Sequence, residues 1–280
     1  MPLVQNHAKR KLASGGMVVG FGVHHLRSMA APMLAAATGH DYMGMDMEHG
    51  AFTVQEATQL CLAALGMGVT PIVRVCAGAI DEATRLLDNG ALGIVVPHVD
   101  TAKQAQRIAD AFHYPPAGHR SWGGPPPAYG YLPPDVAEAQ KAINAEVLTI
   151  AMIESPQGVD NAADIAAVDG IDVLLIGSFD LTSELGIPGQ MGHQKLIDAY
   201  ATVAAACRKH GKVLGMGGIN NREDAQRYVG MGARYLGSGT DHSYIMAAAR
   251  DAVAFYRGLK VGDAAGAAPG KKKKDGKKKG

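Results

Sequence analysis

Two carboxylates open the chemical reading. Glu154 ends the apolar run 147–153, and Asp180 stands just past the run 173–177. Each run reads as a buried parallel strand. The two acids are 26 residues apart, the length of one strand–helix–strand repeat, which would set them side by side at one end of a sheet. Two hard anionic oxygen ligands with coordination positions left over suit a divalent metal that also grips a substrate. Mg²⁺ or Mn²⁺ fits this all-oxygen character, with Co²⁺ a further candidate. Capping of the helix that begins near Leu181 is the competing role for Asp180.

Other charged groups fall at the same kind of position. The second apolar run closes on Asp46-Met47-Glu48-His49-Gly50, the third on Arg74, and the eighth on Ser238-Gly239-Thr240-Asp241. A guanidinium at the end of an apolar strand needs an anionic partner or water. Beside a metal, Arg74 can stabilise a developing enolate oxygen; a structural ion pair with Asp46 or Glu48 is the alternative. His49 suits a general acid/base, with Asp46 fixing its tautomer. The segment Gly177-Ser178-Phe179-Asp180 leads into a helix whose first amides can receive a substrate carboxylate.

These residues need a frame that brings strand ends together. Strands are expected over 17–23, 41–46, 71–75, 93–97, 148–153, 173–177, 213–216 and 235–237. Helical patterns are expected over 54–65, 79–89, 101–112, 162–167, 195–210 and 221–231. Strand–helix alternation eight times over predicts an α/β fold, a single-domain (β/α)₈ TIM barrel, with functional groups at the carboxyl ends of its strands. Gly90, Gly211 and Gly232 stand where left-handed helix ends are wanted. The stretch 114–127, rich in Pro and Gly, cannot be regular structure and is either a functional loop or a surface excursion that contacts another subunit. The barrel domain is expected to span 1–261. A Gly/Ala/Lys-rich tail over 262–280 cannot bury a core and is expected to be disordered.

The bulk numbers narrow the class. Of 280 residues, 47% are apolar and only 5% aromatic, which favours Ala- and Val-rich layers packed on a parallel sheet. The net charge of +1 conceals seven lysines and one aspartate in 271–280, so the rest of the chain is mildly acidic and poorly suited to nucleic acid. Three cysteines, at 61, 76 and 207, form no disulfide or zinc pattern and fit a reducing cytoplasm. No apolar run is long enough to span a membrane. His24, His25 and Arg27 interrupt what would otherwise be a signal-peptide core.

Five ordered segments resemble the HpcH/HpaI aldolases. Residues 41–50 are similar to the family's D-hhhhD-x-E-H signature, and 87–99 also resemble it. Tyr114-Pro115-Pro116-Ala117-Gly118-His119-Arg120 is similar to Y-P-P-x-G-x-R, and 153–161 and 176–182 to its two metal-ligand segments. The resemblance covers about residues 15–255. It implies a class II pyruvate aldolase on a (β/α)₈ barrel, commonly a hexamer of swapped dimers. Such enzymes cleave 4-hydroxy-2-oxo acids to pyruvate and an aldehyde, or run the reverse addition. By position, Glu154 and Asp180 would hold the metal, Arg74 would steady the enolate and the His49–Asp46 pair would move protons. Amides around Ser178, Phe179 and Asp180 would hold the pyruvate carboxylate.

Three departures touch the substrate pocket: Met152 where Gln is common, Ser178-Phe179 before the second ligand where Pro is common, and Ser121 after Arg120 where Gly is usual. Phe179, Trp122, Tyr129 and Tyr131 are candidates for lining a bulky-aldehyde pocket. A Schiff-base route needs a barrel lysine, and no expected strand contains one; Lys212 precedes its strand. The alternative enzyme class is an acyl-CoA ester lyase of the citrate-lyase-β type, which would need a phosphate site that no Gly-rich loop announces.

Overall fold

The computed structural model describes residues 5–132 and 135–261. Eight strands form a closed parallel barrel in chain order. They are β1 Val18–Val23, β2 Tyr42–Asp46, β3 Thr70–Arg74, β4 Gly93–Val96, β5 Leu148–Ile153, β6 Val173–Gly177, β7 Val213–Gly217 and β8 Ala233–Thr240. Val18 pairs with Tyr235 to close the ring. This is the expected (β/α)₈ architecture.

Alternation along each strand separates two cores. Tyr42, Ile72, Val95, Leu148, Ile150, Met152, Val173, Leu175, Val213 and Tyr235 fill the barrel interior. Met43, Met45, Val73, Ile94, Ala151, Ile153, Leu174 and Ile176 point outward into the layer beneath the helices. The stacked rings of Tyr42 and Tyr235, 4.6 Å apart, cross the interior. The helix His7–Ala13 adds Ala8 and Leu12 to that inner core. Its cap Asn6 is fully buried and donates to the carbonyls of Leu92 (2.9 Å) and Glu146 (2.8 Å).

The other helices follow their local signals. Val54–Gly66 starts on a reciprocal capping box between Thr53 and Glu56. Gln194–His210 ends on Gly211 at φ +66°, a left-handed position that suits glycine. The stretch after the helix Ala102–Phe112 stays irregular but is anchored. Arg120, buried, pairs with Asp88 (2.6 Å) and lies 4.8 Å above the Tyr114 ring. Trp122 packs edge-on against the same tyrosine.

Among the described residues one compact unit extends to Tyr244 and a second begins at Ile245. The second unit carries most of the helix Asp241–Gly258, on which Ile245, Val253, Phe255 and Tyr256 are exposed. The tail expected from 262 lies outside the described residues. Among the described residues, no helix is long and apolar enough to cross a membrane.

Candidate active site

A cavity of about 490 Å³ opens at the carboxyl ends of the strands. It is built by residues that continue the inward phase of each strand. Asp46 follows Tyr42 and Gly44, Arg74 follows Ile72, Glu154 follows Ile150 and Met152, and Gly177 follows Val173 and Leu175; all line it. Ser178, Phe179, Asp180 and His49 line it as well. The residues expected to bind metal, hold the substrate carboxylate or move protons therefore meet at one mouth.

Asp46 is buried and organises one side. Its Oδ1 accepts Arg74 Nε (2.9 Å) and the amides of Glu48 (3.0 Å) and His49 (3.2 Å). Its Oδ2 accepts Arg74 Nη2 and faces His24 Nε2 at 3.3 Å. The pairing of Asp46 with Arg74 across β2 and β3 sets them side by side. Burial opposes ionisation of Asp46, but the Arg74 hydrogen bond and charge, with the His49 amide and His24, outweigh it and hold the carboxyl below its ordinary range. Arg74 is likewise kept charged: burial works against the cation, and Asp46, Glu48 and Glu154 more than offset it. Glu48 adds a contact to Arg74 Nη1 at 3.3 Å.

Glu154 stands opposite, only 2% exposed. It accepts the amide of His98 (3.1 Å), whose left-handed backbone (φ +53°) turns that N–H toward it. Its carboxyl is pushed up to about 7, first by burial and then by the charges of Asp180 and Glu48 against the opposing pull of His98. Gly177 makes the space: a Cβ there would lie 2.3 Å from Glu154 Oε1. Asp180 is exposed in the first turn of the helix Ser178–Glu184, whose cap is Gly177, so capping is not its role. Ser178 is buried, its hydroxyl 2.9 Å from Tyr200 OH, turning the side chain away from the mouth.

Two expectations change. His49 donates only its amide to Asp46; its ring is 61% exposed and comes no nearer an acid than 3.8 Å from Glu48. The imidazole against the Asp46 carboxylate is that of His24, because β1 delivers it in inward phase while the turn after Asp46 swings His49 outward. Of the four aromatic candidates, Phe179 lines the cavity, 53% exposed; Trp122, Tyr129 and Tyr131 do not, since the 114–131 loop is fastened to the outside by Arg120 and Tyr114. His24 and His98 were missed by motif reasoning. Parity along β1 (Val18, Gly20, Gly22, His24) was the available signal for the first.

The profile described as HpcH/HpaI aldolase/citrate lyase matches residues 26–248. A 4-hydroxy-4-methyl-2-oxoglutarate aldolase of Chaetomium globosum is 37% identical over 224 residues, covering 78% of this chain and 82% of that protein. A hydroxypyruvate/pyruvate aldolase of Delftia acidovorans is 32% identical over 268 residues, covering 95% and 97%. The solved HpcH/HpaI aldolase of Desulfitobacterium hafniense matches with a TM-score of 0.85 at 30% identity, covering 90% of this chain and 97% of that one.

Proposed function

This chain belongs to the HpcH/HpaI aldolase/citrate lyase family, and from that membership we propose a divalent-metal-dependent cleavage of 4-hydroxy-2-oxo acids to pyruvate and a second carbonyl compound, or the reverse addition. The observation that carries the reading is the charge imbalance at the barrel mouth. Asp46, Glu48, Glu154 and Asp180 converge there, and Arg74 is the guanidinium that answers them, engaged with Asp46 and Glu48. A buried Glu154 beside Asp180 is left short of positive charge.

A divalent cation fits that donor set. Glu154 and Asp180 would hold it, and the cation would be Mg²⁺, Mn²⁺ or Co²⁺. Two carboxylates fill only part of a divalent ion's coordination shell, so open positions would be left for water and substrate. When bound, the cation supplies Lewis acidity toward the 2-oxo group. Arg74, fixed by Asp46, presents N–H groups to the oxygen that becomes negative as the C3–C4 bond breaks. Amides at Ser178, Phe179 and Asp180 receive the substrate carboxylate. His49, at the exposed rim, exchanges a proton with solvent for the return step to C3.

A Schiff-base route has little support, because no strand of the barrel contains a lysine and Lys212 bonds Val168 O (3.1 Å) before β7 begins. A thioester lyase would need cations for CoA phosphates near the cavity, and among the described residues Arg74 is the one Arg or Lys that lines it. We place the enzyme in the cytoplasm, in keeping with three free cysteines. We also read it as a homo-oligomer, a hexamer by family habit, supported by the exposed apolar residues of the helix Asp241–Gly258.

The test is pyruvate release from a panel of 4-hydroxy-2-oxo acids, followed through a coupled dehydrogenase with and without chelator. Release that stops on chelation and returns with Mg²⁺ or Mn²⁺ is expected. Release that survives thorough metal stripping contradicts the metal route.

A further inference from the structure

The inward phase of β1 runs Val18, Gly20, Gly22 and then His24, which lines the same cavity as Arg74, Glu154 and Asp180. Its Nε2 faces Asp46 Oδ2 at 3.3 Å. An ionised Asp46 favours the hydrogen on that nitrogen, which would leave Nδ1 as the acceptor. The segment is not loosely placed. The Asp241 carboxylate, 1% exposed, accepts the amides of His24 (3.2 Å), His25 (2.8 Å), Leu26 (2.7 Å) and His242 (2.8 Å). The His242 ring then packs edge-on against His24 at 5.3 Å. A base aligned by a buried carboxylate and fixed by its backbone is what proton abstraction in a cleft requires.

We propose that His24 is a catalytic residue of this chain: its Nδ1 takes the proton of the substrate's C4 hydroxyl as the C3–C4 bond breaks. The O–H electron pair becomes the new C4=O bond. The C3–C4 pair stays with the pyruvate half as the enolate; the imidazolium, held against Asp46, then releases its proton to solvent, while His49 delivers a proton from solvent to the enolate carbon. The inference rests on the aldolase reading and deepens it, since it assigns the hydroxyl proton to His24 and leaves His49 the proton that reaches C3. The groups around His24 support a neutral ring at pH 7. Burial lowers its pKa first, and His242 and Arg74 lower it further, while Asp46 and Asp241 oppose them.

The experiment compares wild type, His24→Gln, His24→Ala and His49→Gln, each saturated with Mg²⁺ and checked for an unchanged melting transition. Two reactions are followed: cleavage of a 4-hydroxy-2-oxo acid, and decarboxylation of oxaloacetate, which yields the same enolate with no hydroxyl to deprotonate. His24→Gln is expected to lower kcat for cleavage about 100-fold or more, with KM within about threefold and decarboxylation changed far less. The acid limb of its kcat/KM profile should vanish, and added imidazole should partly restore cleavage in His24→Ala. An unchanged pH profile in His24→Gln overturns the proposal, as does equal loss of both reactions, which would mark a structural role. If wild type itself performs neither reaction, the aldolase reading fails instead.

Discussion

At the scale of single residues, the account turns on Glu154. Its raised carboxyl means that the folded chain binds a proton more tightly than the unfolded chain does. The stabilisation from this group is therefore present at low pH and lost as pH rises from the ordinary Glu range to about 7. A cation must displace that proton, so its apparent affinity should weaken by up to about tenfold per pH unit below 7. Thermal melts with and without Mn²⁺ should show a larger stabilisation at pH 8 than at pH 6, and Glu154→Gln should abolish the difference. Equal shifts at both pH values would mean that Glu154 is not a ligand. Gly177 gives a companion prediction: Gly177→Ala puts a methyl within 2.3 Å of Glu154 Oε1. It should weaken Mn²⁺ binding at least about tenfold by titration while lowering Tm only slightly.

Much of the site was legible in the sequence at this scale. Asp46, Arg74, Glu154 and Asp180 follow apolar strands closely enough that strand ends alone bring them together. The direction of a ring was not legible. His49 belongs to a recognisable segment, yet the turn that satisfies Asp46 with two backbone amides leaves its side chain facing solvent. His24 looked like an interruption of an apolar stretch, because its role depends on counting parity along a strand whose last two inward residues are glycines.

At the scale of elements, all eight strands were legible, since buried parallel strands are continuous apolar runs. Five helices were not, Pro156–Asp160 and Asp241–Gly258 among them. His7–Ala13 is short and basic, Ala30–Ala37 lacks a polar face and contains Pro32, and Val136–Glu146 follows a Pro-rich stretch that hides its start. Burial of Asn6, Ala31 and Ile143 supplies by tertiary packing what local pattern did not. Removing the Thr53 cap with Thr53→Ala should cost about 1 kcal/mol in denaturant melts and leave kcat/KM unchanged. The loop after Ala102–Phe112 is held in part by one ion pair, Arg120 with Asp88. Asp88→Ala strands the Arg120 guanidinium, whose Nε and Nη1 already lack partners, and should cost about 2 kcal/mol, a moderate figure because Asp88 is itself partly exposed.

At the scale of the whole molecule, the barrel unit is complete in its core, while the helix continuing from Ile245 shows apolar side chains to solvent: Phe255 is 63% exposed and Tyr256 is 70% exposed. A second copy of the chain is the occupant that the homo-oligomer reading supplies. Light scattering on eluting protein should give a multiple of the 29.1 kDa chain, and Phe255→Asp with Tyr256→Asp should shift it to smaller species. A monomeric wild type would contradict that reading without touching the chemistry of the cavity.

The most direct measurement is an anomalous difference map from crystals soaked in Mn²⁺ and pyruvate. A single strong peak is expected between the carboxylates of Glu154 and Asp180, within reach of the oxo acid and facing Arg74. No peak at that point, in protein that still releases pyruvate, would contradict it.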